Sequence, residues 1–304
     1  MFHARSTALI PASYLYWFVV LSLSCRSLAS INLFGNSSDA GPVTEVGFKG
    51  IADAIRCRQA GDRLKKIVVS RNAALGDGGM ALLADALPAA VALTHLDVSN
   101  TGFGDTGLIA IATALGRKQT TQTSEQSTRK LSVPSSRPSA PVEVVAATNS
   151  TSIPCITPVA VVGANLVELI LYGNEKARGQ GWTSLADVLP QLSRLRRLDC
   201  SQCAGMGCDG ADAIAAVLPR CKVLQCLLVA RCTIGDRGGR ALATAFATIA
   251  GADNGAQQAV KSIDASWNRL TGECAKAIVN TSAAVGWAVE QTPGGFRNHI
   301  KRHS

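Results

Sequence analysis

The chain has 304 residues, of which 47% are hydrophobic, enough to fill the core of one or two domains and to exclude a wholly disordered protein. Its formal charge is +9, yet only 17% of residues are charged and 5% aromatic, and no Lys/Arg run exceeds two residues. A dedicated nucleic-acid reader concentrates its basic residues in a motif or interleaves them with stacking aromatics, so specific nucleic-acid recognition is not expected. Ten cysteines are too sparse for a small disulfide scaffold, and the four histidines, His3, His95, His299 and His303, are too scattered for a metal site or a triad.

In chain order, Ser6 to Cys25 is uncharged and lies between Arg5 and Arg26. Such a segment reads as a signal peptide or membrane anchor, with Ser27 and Ala29 as small residues for a cleavage after Ala29. That cut would remove part of Leu28-Ala29-Ser30-Ile31-Asn32-Leu33-Phe34-Gly35-Asn36, itself the first copy of a repeat. The alternative is a buried helix carrying Leu15, Phe18 and Leu21 ahead of the first strand. A mitochondrial address has little Arg to support it.

The spacing L-x-x-L-x-L-x-x-N/C recurs seven times, starting at Leu28, Leu64, Leu93, Leu166, Leu195, Leu224 and Val260. The starts are 36, 29, 73, 29, 29 and 36 residues apart, a 29-residue unit with one long insertion. A fixed period in this range marks a solenoid, in which each unit buries its apolar face only against its neighbours. After each strand signal comes an Ala/Leu-rich run at helical spacing, such as Met80 to Leu87, Ser184 to Leu189, Ala213 to Leu218 and Ala241 to Phe246. In three of these a Pro follows (Pro88, Pro190, Pro219) and ends the helix. Positions one, four and six of each copy are expected to point inward from a short parallel strand. The ninth side chain turns in to satisfy loop backbone groups.

Just past the ninth position stand Leu75-Gly76-Asp77-Gly78-Gly79, Phe103-Gly104-Asp105-Thr106-Gly107 and Ile234-Gly235-Asp236-Arg237-Gly238. With these turns the chain resembles the ribonuclease-inhibitor-like class of leucine-rich repeats, shared by Ran GTPase activators and the repeat region of NOD-like receptors. The resemblance implies an α/β solenoid of about seven repeats, each a short parallel strand plus a helix. It departs from the pattern where Thr101 replaces the ladder Asn and where the Gly-Asp-x-Gly turn is degraded after Asn36, Asn174 and Asn268. The organisation read from the sequence is a hydrophobic segment at 1–27, repeats one to three at 28–116, an insertion at 117–163, repeats four to seven at 164–288, and a basic tail at 289–304.

The insertion is rich in Ser, Thr and Pro and cannot bury enough surface to order itself, so it is expected to be a disordered loop. Arg129-Lys130-Leu131-Ser132 would suit a basophilic kinase, and tolerated loop expansion is the plainer reading. Asn149-Ser150-Thr151 is a better glycosylation acceptor than Asn36-Ser37-Ser38, whose Asn is a ladder residue. Cys200-x-x-Cys203, with Cys208, Cys221, Cys226 and Cys232 close behind, resembles a metal or redox cluster. Cys200 nevertheless falls on an inward position, and Cys203 and Cys232 on the ladder position, so structural thiols are expected, with no metal and no cofactor.

The residues between the inward positions face the concave sheet. From these the partner-binding candidates are Phe34, Arg71, Asp97, Tyr172, Arg196, Arg197, Asp199, Arg231, Asp264 and Trp267, with Tyr172, Arg231 and Trp267 as anchors. Asp97, Asp199 and Asp264 recur at one strand position, each the polar half of a Leu-Asp or Ile-Asp dipeptide. No nucleophile has a base beside it and no Gly-rich loop would cradle a phosphate, so no catalytic residue is assigned and the chain is not read as an enzyme. The expectation is a non-catalytic scaffold that binds a protein partner. A Ran-type GTPase activator and a secreted or membrane-anchored recognition protein, held through Ser6–Cys25, are the alternatives. Unpaired thiols favour a reducing, intracellular location, whereas a functional leader would place the chain in the secretory route.

Overall fold

The computed structural model describes residues 29–35, 43–56, 63–117, 161–251, 262–283, 287–290 and 299–302. Seven three-residue strands recur along it: β1 (Ser30–Asn32), β2 (Lys66–Val68), β3 (His95–Asp97), β4 (Glu168–Ile170), β5 (Arg197–Asp199), β6 (Cys226–Leu228) and β7 (Ser262–Asp264). A helix follows each: α1 (Glu45–Arg56), α2 (Gly76–Ala86), α3 (Asp105–Gly116), α4 (Gly179–Val188), α5 (Gly207–Val217), α6 (Asp236–Gly251) and α7 (Gly272–Ala283). The seven strands run parallel in chain order and in step, so that Ile31, Ile67, Leu96, Leu169, Leu198, Leu227 and Ile263 form one row across the sheet. Every repeat copy read from the sequence therefore coincides with a strand and its helix.

The helices form because their apolar residues repeat every three or four positions on one face: Leu108, Ile111, Ala112 and Leu115 in α3, and Ala211, Ile214 and Ala215 in α5, all buried. Three of them end where Leu-Pro follows. α2, α4 and α5 stop at Ala86, Val188 and Val217, and short 3₁₀ turns carry Pro88, Pro190 and Pro219 onward to the next strand. Proline has no N–H to give an α-helix but is accepted in the first turn of a new one. Among the described residues one hydrophobic core lies between the strand row and the helix layer. Neighbouring strands sit about 4.8 Å apart and neighbouring helices about 8–10 Å apart, so the stack curves with the strands on its inner, concave side.

Adjacent units are also tied at the helix starts. Asp77 Oδ1 accepts the N–H groups of Gly104 and Gly107 at 2.7 and 2.8 Å, and Asp105 Oδ1 accepts those of Arg178 and Gly181. Asp236 accepts the N–H and the hydroxyl of Thr271, which hold its carboxyl below its ordinary pKa. The aspartate of each Gly-Asp turn thus satisfies open N–H groups at the start of the next unit's helix.

β3 and β4 pair in the same register as every other neighbouring pair, although residues 118–160 separate them in the chain. The described residues on either side of that stretch meet, Val162 N–H donating to Arg117 O at 2.9 Å. The segment between, with Ser132 and Asn149, lies outside the described residues, as do Ser6–Cys25, Leu28 and Asn36. No described helix is long and apolar enough to cross a membrane.

The residues assigned from sequence to a basic tail are partly strand. β8 (Trp287–Glu290) and β9 (His299–Arg302) pair antiparallel, and β9 pairs antiparallel with β7, opposing Ile300 to Ile263. The last parallel strand of a solenoid exposes a row of unpaired backbone groups, and this hairpin covers them.

Leu198 is fully buried in the middle of the row. Leu198→Ala is expected to lower the unfolding free energy in urea by about 2–5 kcal/mol, the cost of an uncollapsed cavity. Joining Arg117 to Val161 through a few glycines in place of 118–160 is expected to keep a cooperative melt and to add at most about 2 kcal/mol from loop-closure entropy. A loss of cooperativity would show that the segment is needed for folding.

Candidate functional site: the concave face of the sheet

Each strand ends in the same backbone device. The eighth residue of every unit, Gly35, Arg71, Asn100, Gly173, Gln202, Arg231 and Trp267, has φ between 52° and 84°. Its N–H still extends the sheet ladder, as in Arg71 to Ser99 O, Asn100 to Tyr172 O, Gln202 to Ala230 O and Arg231 to Ser266 O at 2.7–2.9 Å, while the chain turns away toward the helix layer. Glycine adopts this left-handed conformation without strain. At Gly173 a Cβ would also stand 2.1 Å from Asn100 Oδ1. Arg71, Gln202, Arg231 and Trp267 adopt it at a cost of roughly 1–2 kcal/mol each. The strained side chains project at the rim of the concave face.

The ninth residue then turns inward. Asn72, Thr101, Asn174 and Asn268 donate to the sixth-position carbonyl of their own unit, at 2.8, 2.9, 2.7 and 2.9 Å. The three asparagines donate equally to the preceding unit, to Leu33, Val98 and Val229 O. Asn174 Oδ1 accepts Thr101 and Gly102 N–H, and Asn268 Oδ1 accepts Cys232 and Ile234 N–H. Thr101 is too short to span two units, and Asn174 behind it supplies the missing bonds.

Cys203 and Cys232 occupy the same ladder position. Their thiols donate to Leu171 O at 3.4 Å and to Cys200 O at 3.1 Å. Burial pushes the Cys203 thiol up to about 12 and raises those of Cys200 and Cys232 as well, which keeps the protons these bonds need. Seven described cysteines are free, and no group of three or more His, Cys, Asp or Glu among the described residues is placed to hold a metal ion.

On the concave face itself the fifth position alternates. Asn32, Val68, Asp97, Ile170, Asp199, Leu228 and Asp264 stand side by side in register, polar and aliphatic in turn. Each polar member accepts the N–H two residues on: Asn32 from Phe34, Asp97 from Ser99, Asp199 from Ser201 and Asp264 from Ser266, at 2.9–3.0 Å. The three aspartates flagged in the sequence are thus engaged in shaping the strand ends, and Asp199 is buried.

The remaining candidates fall into groups. Arg71 stacks its guanidinium 4.9 Å above the centre of the Phe34 ring, and Arg231 does the same over Trp267 at 5.0 Å. Phe34 and Trp267 are 54% and 50% exposed. Two Arg-on-aromatic pairs therefore stand at the two ends of one rim, in units one and two and in units six and seven. Arg197 lies 3.6 Å from Asp199 in an ion pair, and His95 lies 3.8 Å from Glu168. Tyr172 is half-buried near the middle of the face, in neither of the two pairs. Arg196 precedes β5 and is exposed at its entry, outside the alternation that puts Arg197 and Asp199 on the concave side. The left-handed eighth position and the serines at the seventh were missed in the sequence, although Gly at two of the seven eighth positions was a signal for the former.

Strand row, left-handed turn and polar ladder, each repeated with a full helix per unit, define a leucine-rich repeat solenoid. The arrangement is similar to that of the ribonuclease-inhibitor-like class of leucine-rich repeats. The family model for Leucine Rich repeat matches residues 92–112 and 220–243, over the third and sixth units. Among solved structures, a chain of the yeast Rad7–Elc1 complex aligns with 87% of this chain and 69% of its own length, at 10% identity and a TM-score of 0.32. No curated protein matches.

Because the Cys203 thiol titrates near 12 when folded against an ordinary value near 9, its contribution is intact below pH 9 and is lost as pH rises toward 12. Urea midpoints are expected to fall over that window. The variant Cys203→Thr with Cys232→Thr, borrowing the residue that unit three uses, is expected to flatten the fall.

Proposed function

We propose that this protein is a non-catalytic scaffold that binds a protein partner across the concave face of its sheet. The observation that carries the reading is the pair of exposed rings, Phe34 and Trp267, each held under an arginine at opposite ends of one rim. Arginine and large aromatics dominate the energetics of protein interfaces, and a ring already fixed by a cation loses little further freedom on binding. Arg71, Arg231 and Trp267 also keep a strained backbone where glycine would relax it, and such strain is retained where the side chain matters. Tyr172 near the centre of the face and the aliphatic members of the fifth row, Ile170 and Leu228, supply apolar contact between the two ends.

Catalysis is not part of the reading. Asp97, Asp199 and Asp264 are engaged with backbone N–H groups, Asp199 also with Arg197, and burial raises the pKa of the Cys200, Cys203 and Cys232 thiols. The insertion at 117–163 is a secondary docking element in this proposal. Ran-type GTPase activation would need a loop that completes a GTPase site, and no residue is assigned to that role.

The test is affinity capture of the tagged full-length chain from its own cells, with mass spectrometry, against the double variant Phe34→Ala with Trp267→Ala. A stoichiometric partner is expected with the parent chain and about a hundredfold less with the variant, each truncation contributing about 1–2 kcal/mol. Both side chains are half-exposed, so the melting temperature is expected to be unchanged. Equal capture by parent and variant would move the interface off this face.

A further inference from the structure

The concave face is not the only surface with a distinct chemistry. The loops leading from α4 to β5 and from α5 to β6 run through residues 189–196 and 218–225. They carry Arg194, Arg196, Arg220 and Lys222, all exposed, and no Asp or Glu. None of the four is in an ion pair among the described residues. The opposite edge, where the strands run out and the helices begin, holds Asp77, Asp105 and Asp236, tied to neighbouring N–H groups. The four cations on these two loops therefore have no carboxylate within the loops to neutralise them.

Between the two loops lies a groove of about 370 Å³ whose apolar lining comes from Leu189, Pro190, Leu192, Leu195, Val223 and Leu224. Val223 is 37% exposed, one of four large apolar side chains that stand open among the described residues. Arg220 and Lys222 line the same groove, so charge and apolar surface belong to one feature. The lining contains no aromatic ring on which a base would stack, which argues against single-stranded nucleic acid. The apolar side chains line a depression rather than projecting from the surface, which argues against insertion into a bilayer.

We propose that this groove receives a short acidic protein segment, whose Leu, Val or Phe side chains enter between the two loops while its carboxylates face Arg194, Arg196, Arg220 and Lys222. Positive charge on the two acid-free loops steers such a segment toward the groove, and burial of its apolar side chains holds it there. This surface is separate from the concave face and does not depend on the reading given to that face.

The probe is a fluorescein-labelled synthetic peptide of Glu and Asp with Leu at every third or fourth position, titrated with the full chain and read by fluorescence anisotropy. Saturable binding is expected, weakening as salt rises. The triple variant Arg194→Glu, Arg220→Glu and Lys222→Glu is expected to weaken it by at least about tenfold with an unchanged circular-dichroism melt. Val223→Ser, which leaves the charge alone, is expected to weaken it severalfold, and a peptide with every Leu changed to Ser by about tenfold. The variant Phe34→Ala with Trp267→Ala is expected to bind the peptide like the parent, so failure of the concave-face reading is distinguishable from failure here. Absence of saturable binding, equal binding of the Leu-free peptide, or tighter binding of single-stranded RNA or phosphatidylserine vesicles would overturn the proposal.

Discussion

Everything in this solenoid hangs on one polar contact, the side chain at the ninth position of each unit. A chain that leaves a strand and turns toward a helix carries backbone carbonyls and N–H groups into a space lined by leucines, where each unpaired group costs about 1–3 kcal/mol. One asparagine amide donates twice and accepts twice, and in Asn174 and Asn268 all of that capacity is used across two adjacent units. The contact is therefore both a turn stabiliser and a bond between repeats. Where it is reduced to Thr101, Cys203 or Cys232, the neighbouring units and the buried thiol protons make up part of the difference.

The same turn places the side chains that face outward. Because the eighth residue must be left-handed, whatever stands there is presented at the rim in a fixed direction, and the protein has filled five of the seven sites with Arg71, Asn100, Gln202, Arg231 and Trp267 rather than glycine. Two of these are the arginines that stack on Phe34 and Trp267. The surface chemistry at both ends of the arc is in this sense a product of the backbone geometry that closes each strand. Electrostatics adds a second asymmetry, with tied carboxylates along one edge and unpaired cations between Arg194 and Lys222 along the other.

Much of the fold was legible in the sequence because a repeat announces itself many times over. Seven starts from Leu28 to Val260 predicted seven strands, and the inward positions, the helix runs and the thiol roles of Cys200, Cys203 and Cys232 followed from the period alone. The pairing of residues 299–302 with β7 was not legible, since an antiparallel cap has no place in a parallel period and its short strands carry no pattern long enough to read. The concave face was legible as a list and not as chemistry. Periodicity told which residues share a side, but Asp97, Asp199 and Asp264 turn back on their own backbone, and the Arg-aromatic pairs join residues 37 or 36 positions apart. The groove at Val223 escaped notice because loop residues outside the strand motif have no assigned direction in a repeat.

The alternation of the fifth row has a consequence for how such a chain can change. Odd units carry Asn32, Asp97, Asp199 or Asp264 and even units carry Val68, Ile170 or Leu228, so the surface motif spans two structural repeats and recurs about every 9.6 Å across the sheet. Loss of one internal unit would preserve the core and the ladder while bringing two carboxylates, or two aliphatic side chains, into adjacent register. Loss of two leaves the phase of the surface untouched. Parity, which the folding of the solenoid ignores, is thus a property that only a molecule lying across the strands would sense.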